Sequence, residues 1–168
     1  MVSSTKWRMV LLCAFCLSLN VKKAAASQDL LAKMSVTFFK TVYQCQKELD
    51  VSEDDMKKLL NFWHENQELT RDLGCVILCL ASKHDLIEMS EYKVHQERAF
   101  HFAINHGADD EAAKQIVQVM DDCDSKFPDK DDQCQRVAHV AVCFRDHMHS
   151  IKWAPPAHIL LQEIMTEF

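Results

Sequence analysis

The chain has 168 residues, 48% of them apolar and 26% charged, with a formal charge of −6 and eight cysteines. Two glycines and three prolines are too few to punctuate a multi-stranded sheet. The acidic balance excludes electrostatic attraction to nucleic acid or anionic lipid.

Met1 to Ala26 has the form of a secretory signal. Lys6 and Arg8 precede the apolar run 9–19, and Ala24, Ala25 and Ala26 offer a small-residue cleavage site. That run is too short for a membrane span, which needs about 20 apolar residues. The expected exported domain is therefore 27–168, starting at Ser27. Its 19 basic residues lose Lys6, Arg8, Lys22 and Lys23 while the 25 acids lose none, so the formal charge falls from −6 to −10. Cys13 and Cys16 leave as well. The six that remain, Cys45, Cys75, Cys79, Cys123, Cys134 and Cys143, read in an exported chain as three disulfides.

Helix formers and apolar residues at three- and four-residue spacing predict an all-α domain with no strand patterns of any length. From Ser27 to Leu49 the apolar positions are Leu30, Leu31, Met34, Phe38, Val42 and Cys45. Ser52 followed by Glu53, Asp54 and Asp55 predicts a capped start for a helix through Leu59, Leu60, Phe62 and Trp63. His64 to Thr70 is a polar loop. Arg71 to His84 predicts a central helix that places Cys75 and Cys79 on one side and Ile77, Leu80 and Ala81 toward an interior. Parallel side chains one turn apart meet disulfide geometry badly, so each of these cysteines needs its own distant partner. A zinc site is disfavoured, because no Cys-x-x-Cys or His-x-x-x-His motif accompanies them.

Asp85 to Lys93 is expected to be a mixed connection, and His95 to Asn105 a short helix closed by a left-handed Gly107. Asp109 or Asp110 caps the next helix, whose stripe is Ala112, Ala113, Ile116, Val117, Met120 and Cys123. Pro128 breaks the chain. A further helix runs from about Asp131 to Ile151 with Val137, Val140, Ala141, Phe144 and Met148 on one face. Pro155 and Pro156 end it. The tail, Ala157 to Phe168, carries a stripe of Leu160, Leu161, Ile164, Met165 and Phe168, but twelve residues are too few to hold a helix in water without docking.

Cys134 and Cys143, half a revolution apart on one helix, cannot pair with each other. Of the 15 pairings six cysteines allow, three contain Cys75 with Cys79, three contain Cys134 with Cys143 and one contains both, so ten remain open.

The three-residue gap between Cys75 and Cys79 and the eight-residue gap between Cys134 and Cys143 resemble the pattern of insect odorant-binding proteins. Local segments resemble the moth pheromone-binding proteins over the whole of 27–168: Ser27-Gln28-Asp29, Asn61-Phe62-Trp63, Arg71-Asp72-Leu73-Gly74-Cys75, His106-Gly107-Ala108-Asp109, Cys143-Phe144 and Trp153-Ala154-Pro155. The resemblance implies a six-helix, disulfide-stapled bundle around an internal apolar cavity, with a C-terminal tail able to form a further helix. It also implies the pairs Cys45 with Cys79, Cys75 with Cys134 and Cys123 with Cys143. The implied function is a non-enzymatic carrier, without metal or cofactor. It takes a long-chain unsaturated alcohol, aldehyde or acetate (C12 to C18) through antennal sensillum lymph to olfactory receptors, or to the neuronal membrane that holds them. The implied state is a monomer or a pH-dependent homodimer.

By the same resemblance Phe38 and Phe144 face each other across the ligand. Phe62, Trp63, Ile77, Phe102, Val117, Met120 and Val140 surround them. The family often places a serine second after the third cysteine, and here that position is Ala81. Head-group chemistry is therefore expected to matter less than chain length, with Ser35, Arg136 or Asn61 the candidates for any substitute polar contact. The family's paired histidines and the histidine before the fourth cysteine read here as His95-Gln96 and Asp121. An acid switch would draw instead on His95, His106, His149, Glu163 and Glu167, opposed by His158.

Other classes fit less well. His147 with His149, or His101 with Asp85, can be drawn as acid and base, but exposed helix histidines are the commoner situation. A saposin-like lipid binder is also helical with six cysteines yet lacks the three-residue gap. A helical cytokine has no feature by which sequence would reveal it.

Overall fold

The computed structural model describes residues 4–88, 90–128 and 131–167, with side chains from Ala24 onward except those of Ile164, Thr166 and Glu167. Seven helices are present among the described residues: α1 (Ser4–Leu49), α2 (Glu53–Leu60), α3 (Arg71–Lys83), α4 (Gln96–Asn105), α5 (Asp110–Lys126), α6 (Gln133–Ser150) and α7 (Ala157–Glu167). Helix α1 runs without a break through Ala26 and Ser27. The connection 85–93 is more regular than expected. Residues Ile87–Glu88 (β1) and Lys93–Val94 (β2) form a two-residue antiparallel ladder, too short for any alternation to show in sequence.

Side-chain oxygens cap several helix starts, accepting a backbone N–H that has no partner within the helix. Ser52 serves α2, Thr70 α3, Asp109 α5 and Asp132 α6. His95 does the same for α4 through Nδ1, which accepts the N–H of Arg98. Four helices end alike, with one residue in the left-handed region and the next N–H returning to a carbonyl five residues back. The bonds are Val51 to Gln46, Leu86 to Ala81, Ala108 to Ala103 and Trp153 to Met148. The left-handed residues are Asp50, Asp85, Gly107 and Lys152.

Disulfides join Cys45 to Cys79, Cys75 to Cys134 and Cys123 to Cys143, one of the ten pairings the spacing leaves open. They tie α1 to α3, α3 to α6 and α5 to α6. Beside the middle bridge, α3 meets α6 so closely that a Cβ on Gly74 would lie 1.9 Å from the Cys134 carbonyl oxygen. Only glycine permits that approach.

Two apolar clusters result. One holds Val42, Cys45, Leu59, Leu73, Val76 and Leu80 between α1, α2 and α3. The other gathers Leu30, Leu31, Ile116, Met148, Trp153 and Leu160 from α1, α5, α6 and α7. Two buried arginines tether loops to α6. Arg136 donates to the carbonyls of Phe127 and Tyr92 and pairs with Asp124 at 2.7 Å, and Arg145 donates to the Gln67 carbonyl at 2.5 Å. The tail helix α7 packs on α1 with Leu160 buried, but Leu161 and Met165 of its expected stripe face solvent. A stripe that broad exceeds what one neighbouring helix covers. Ile164 and Phe168 lie outside the described side chains.

Candidate functional site

Between the two clusters lies a cavity of about 220 Å³. The three- and four-residue spacing of α1 turns Leu31, Met34, Ser35, Phe38 and Val42 onto it, with Phe39 beside them. Leu59 of α2 and the following Phe62 and Trp63 close one end, and Ile77, Leu80 and Ala81 of α3 form a side. Leu86, Ile87 and Val94 of the hairpin region, with Ala99 and Phe102 of α4, also line it. Ile116 and Met120 of α5 and Ala141 and Phe144 of α6 complete the wall.

Most of the residues named from sequence meet here: Ser35, Phe38, Phe62, Trp63, Ile77, Ala81, Phe102, Met120 and Phe144. Val117 and Val140 do not. Val117 borders a polar cleft on the outer side of α5, and Val140 is buried in the core cluster. Each lies one position from a residue that does reach the cavity, Ile116 and Ala141, and one position turns a helix by about 100°. Phe38 packs against Phe102 (centroids 5.4 Å apart), and Phe144 against Trp63 (6.3 Å). Of the candidates for a polar contact, Arg136 is committed to loop carbonyls and Asn61 is exposed. Ser35 is on the wall. Its hydroxyl donates to the Leu31 carbonyl at 2.7 Å and accepts the Trp63 Nε1–H at 2.9 Å.

Behind Phe38 and Phe102 sits a histidine that sequence did not single out. His84 meets Phe38 edge-on at 5.1 Å and Phe102 at 5.8 Å, and its Nε2 is 3.0 Å from Thr41 Oγ1. Burial, and secondarily the neighbouring His106, holds its pKa below the usual histidine range. His106 stacks on Phe102 at 4.3 Å. Its Nδ1 donates to the Phe102 carbonyl, and its Nε2 meets Thr37 Oγ1 at 2.8 Å.

The other acid-switch candidates occupy distinct settings. His95 uses the lone pair of Nδ1 as a helix cap. His149 donates from Nε2 to the Trp63 carbonyl at 2.8 Å and faces Glu65 at 3.4 Å through Nδ1. Glu163 is half-buried on α7, and the side chain of Glu167 lies outside the described residues. His158 is exposed. At the two positions where the resembling family carries histidines, Gln96 donates to Asp121 at 2.9 Å, joining α4 to α5. This pair borders a cleft of about 300 Å³ rimmed by Glu88, Glu91, Lys93, His95 and Asp124, with Val94 common to both cavities.

Among the described residues no group of histidine, cysteine and carboxylate side chains has the arrangement of a metal site. No described helix is long and apolar enough to cross a membrane.

Comparison with known proteins agrees with this architecture. Residues 27–147 match the model of the PBP/GOBP family. Pheromone-binding protein 2 of Epiphyas postvittana is 36% identical over 160 residues, covering 95% of this chain and 96% of its own length. General odorant-binding protein 1 of Bombyx mori is 24% identical over 163 residues, covering 96% of each. The crystal structure of Epiphyas postvittana pheromone binding protein 3 superposes with a TM-score of 0.62 at 37% identity, covering 67% of this chain and 96% of that one. With its three bridges, its apolar cavity and a family match over most of its length, the chain belongs to the PBP/GOBP family.

Proposed function

We propose that this protein is an exported carrier, not an enzyme, that holds a long-chain unsaturated pheromone or odorant in the central cavity and ferries it through sensillum lymph. The observation that carries the reading is the wall itself: among the described residues Ser35 contributes its one polar side chain apart from the indole N–H of Trp63, which Ser35 already accepts. Burying a methylene is worth about 0.8 kcal/mol, so a chain of about ten methylenes gains about 8 kcal/mol, from which association costs are subtracted. Export rests on the signal-like segment 1–26. Acid release is part of the proposal, because protonating His95 at Nδ1 removes the cap of α4 and sets a cation against the helix N-terminus. His106 and His149 differ, since each has a possible acceptor in reach of both ring nitrogens.

Displacement of a fluorescent probe by a C14 to C16 unsaturated chain tests the proposal. Phe38→Ala and Phe144→Ala should each weaken binding at least about tenfold, since loss of a buried aromatic costs about 2 kcal/mol or more. Unchanged displacement by both variants would place the ligand elsewhere.

A further inference from the structure

We infer that Arg145 and His149, on successive turns of α6, position the 61–69 loop and hold the Phe62 and Trp63 end of the cavity shut, and that this hold tightens when His149 takes up a proton. The inference rests on the carrier reading and goes beyond it by making one end of the cavity fast in acid. It sets His149 against the acid release for which the sequence nominated it.

Between the cystines at Cys45 and Cys75 the chain runs through α2 and this loop with no covalent tie of its own. Within the loop the backbone bonds are local, His64 to Asn61 and Gln67 to His64, while Phe62 and Trp63 line the cavity. The ties to α6 come from side chains. Arg145 donates to the Gln67 carbonyl at 2.5 Å, and its guanidinium stands over the Phe62 ring, 6.0 Å from the centroid. Arg145 is 2% exposed, and its carboxylate neighbour Asp146 is mostly in water, so losing the carbonyl would leave a buried charged donor unmet. One turn further on, His149 donates from Nε2 to the Trp63 carbonyl at 2.8 Å.

That carbonyl fixes the tautomer of His149. Nε2 must carry the hydrogen, so in the neutral ring Nδ1 presents a lone pair, and it faces a Glu65 carboxylate oxygen 3.4 Å away. Two acceptors then oppose each other. A second proton turns the same contact into a charge-assisted hydrogen bond, while Nε2 keeps its carbonyl. Other charged groups on the surrounding elements are matched or exposed: Arg145 with Asp146 on α6, Asp29 with Lys33 on α1, and His64, Glu68, Lys152 and His158 in water.

The experiment follows release of bound N-phenyl-1-naphthylamine in stopped flow, chased by excess tetradecyl acetate, at about pH 7.5 and about pH 5.5, which lie on either side of the ordinary histidine range and above that of carboxylates. Glu65→Ala should leave the rate near its wild-type value at the higher pH and raise it about threefold at the lower, the scale of a partly exposed ion pair. His149→Gln provides a second arm: it keeps an N–H for the Trp63 carbonyl, cannot take the charge, and should make Glu65→Ala silent at both pH values. Arg145→Lys, which keeps the charge and loses the fork, should speed release about threefold at both. An Arg145→Lys rate equal to wild type overturns the role given to Arg145. Equal rates in wild type and Glu65→Ala at both pH values, or a Glu65→Ala effect that survives His149→Gln, overturns the acid latch while leaving the carrier reading intact. A probe that does not bind, or that the acetate does not chase, overturns both.

Discussion

The cavity has two kinds of wall. On one side α1, α3, α6 and α5 are chained by cystines, and α3 and α6 approach to glycine distance at Gly74. On the other side the hairpin and α4 carry no cystine. They are held by Gln96 to Asp121, Arg98 to Asp85, His106 to Thr37 and Arg136 to the Tyr92 carbonyl, together with the packing of α4 on α5. Thermal fluctuation does not open a cystine, whereas exchanging one hydrogen bond for water costs about 1 kcal/mol. The contrast predicts that the cystine-linked wall fixes the shape of the cavity and that a ligand would pass through the hydrogen-bonded one.

Breaking the fixed wall should have the largest effect. Gly74→Ala sets a methyl group 1.9 Å from the Cys134 carbonyl oxygen, a backbone atom held in place by the adjacent bridge to Cys75. Overpacking of this severity should destabilise by about 3 kcal/mol or more, measured as a lowered urea midpoint. A midpoint equal to wild type would show that α3 and α6 are free to separate. A smaller effect, seen in a different observable, is expected on the hydrogen-bonded wall. Asp121→Ala removes the tie between α5 and Gln96 and should speed ligand dissociation in stopped flow by about fivefold with little change in the urea midpoint. An unchanged rate would move the gate away from α4.

The smallest effect is the pH dependence of stability contributed by His84. Its folded pKa lies below its unfolded one, because burial and then His106 oppose its charge. The unfolded chain therefore takes up a proton that the folded chain refuses, so this contribution is present above about pH 6.5. It is lost progressively as pH falls from there to the lower folded value. His84→Leu should flatten the decline in urea midpoint between pH 7 and 5. A variant that declines as steeply as wild type would assign the acid sensitivity to His95 and the other histidines.

How much of this was legible in the sequence follows from the range of the interactions involved. Helix spacing and the acid-rich start at Ser52 act over a few residues and show directly, and Gly107 marks its helix end because glycine tolerates a left-handed backbone. Asp50, Asp85 and Lys152 end helices in the same way, yet nothing in their chemistry announces it. Helix phase was legible to within one residue. That tolerance separates Ile116 from Val117 and Ala141 from Val140, one of each pair on the cavity and the other off it. The three cystine pairs were legible only through the family resemblance, and polar contacts across the chain were not legible at all. Thr41 and His84 are 43 residues apart, Ser35 and Trp63 are 28 apart, and the buried Arg136 reaches a carbonyl 44 residues away.

The end of α6 has a consequence for the tail. The Lys152 N–H bonds the His149 carbonyl, those of Trp153 and Ala154 both bond Met148, and Trp153, Ala154 and Pro155 are buried. The backbone of helix α6 is thus finished by its own neighbours and needs no hydrogen bond from α7. Fraying of the tail is therefore expected to stop near Pro156, where the backbone hydrogen bonds of α6 are already complete. The last turns of the described chain thus join the bundle through apolar contacts such as that of Leu160, while their backbone leaves the end of α6 complete.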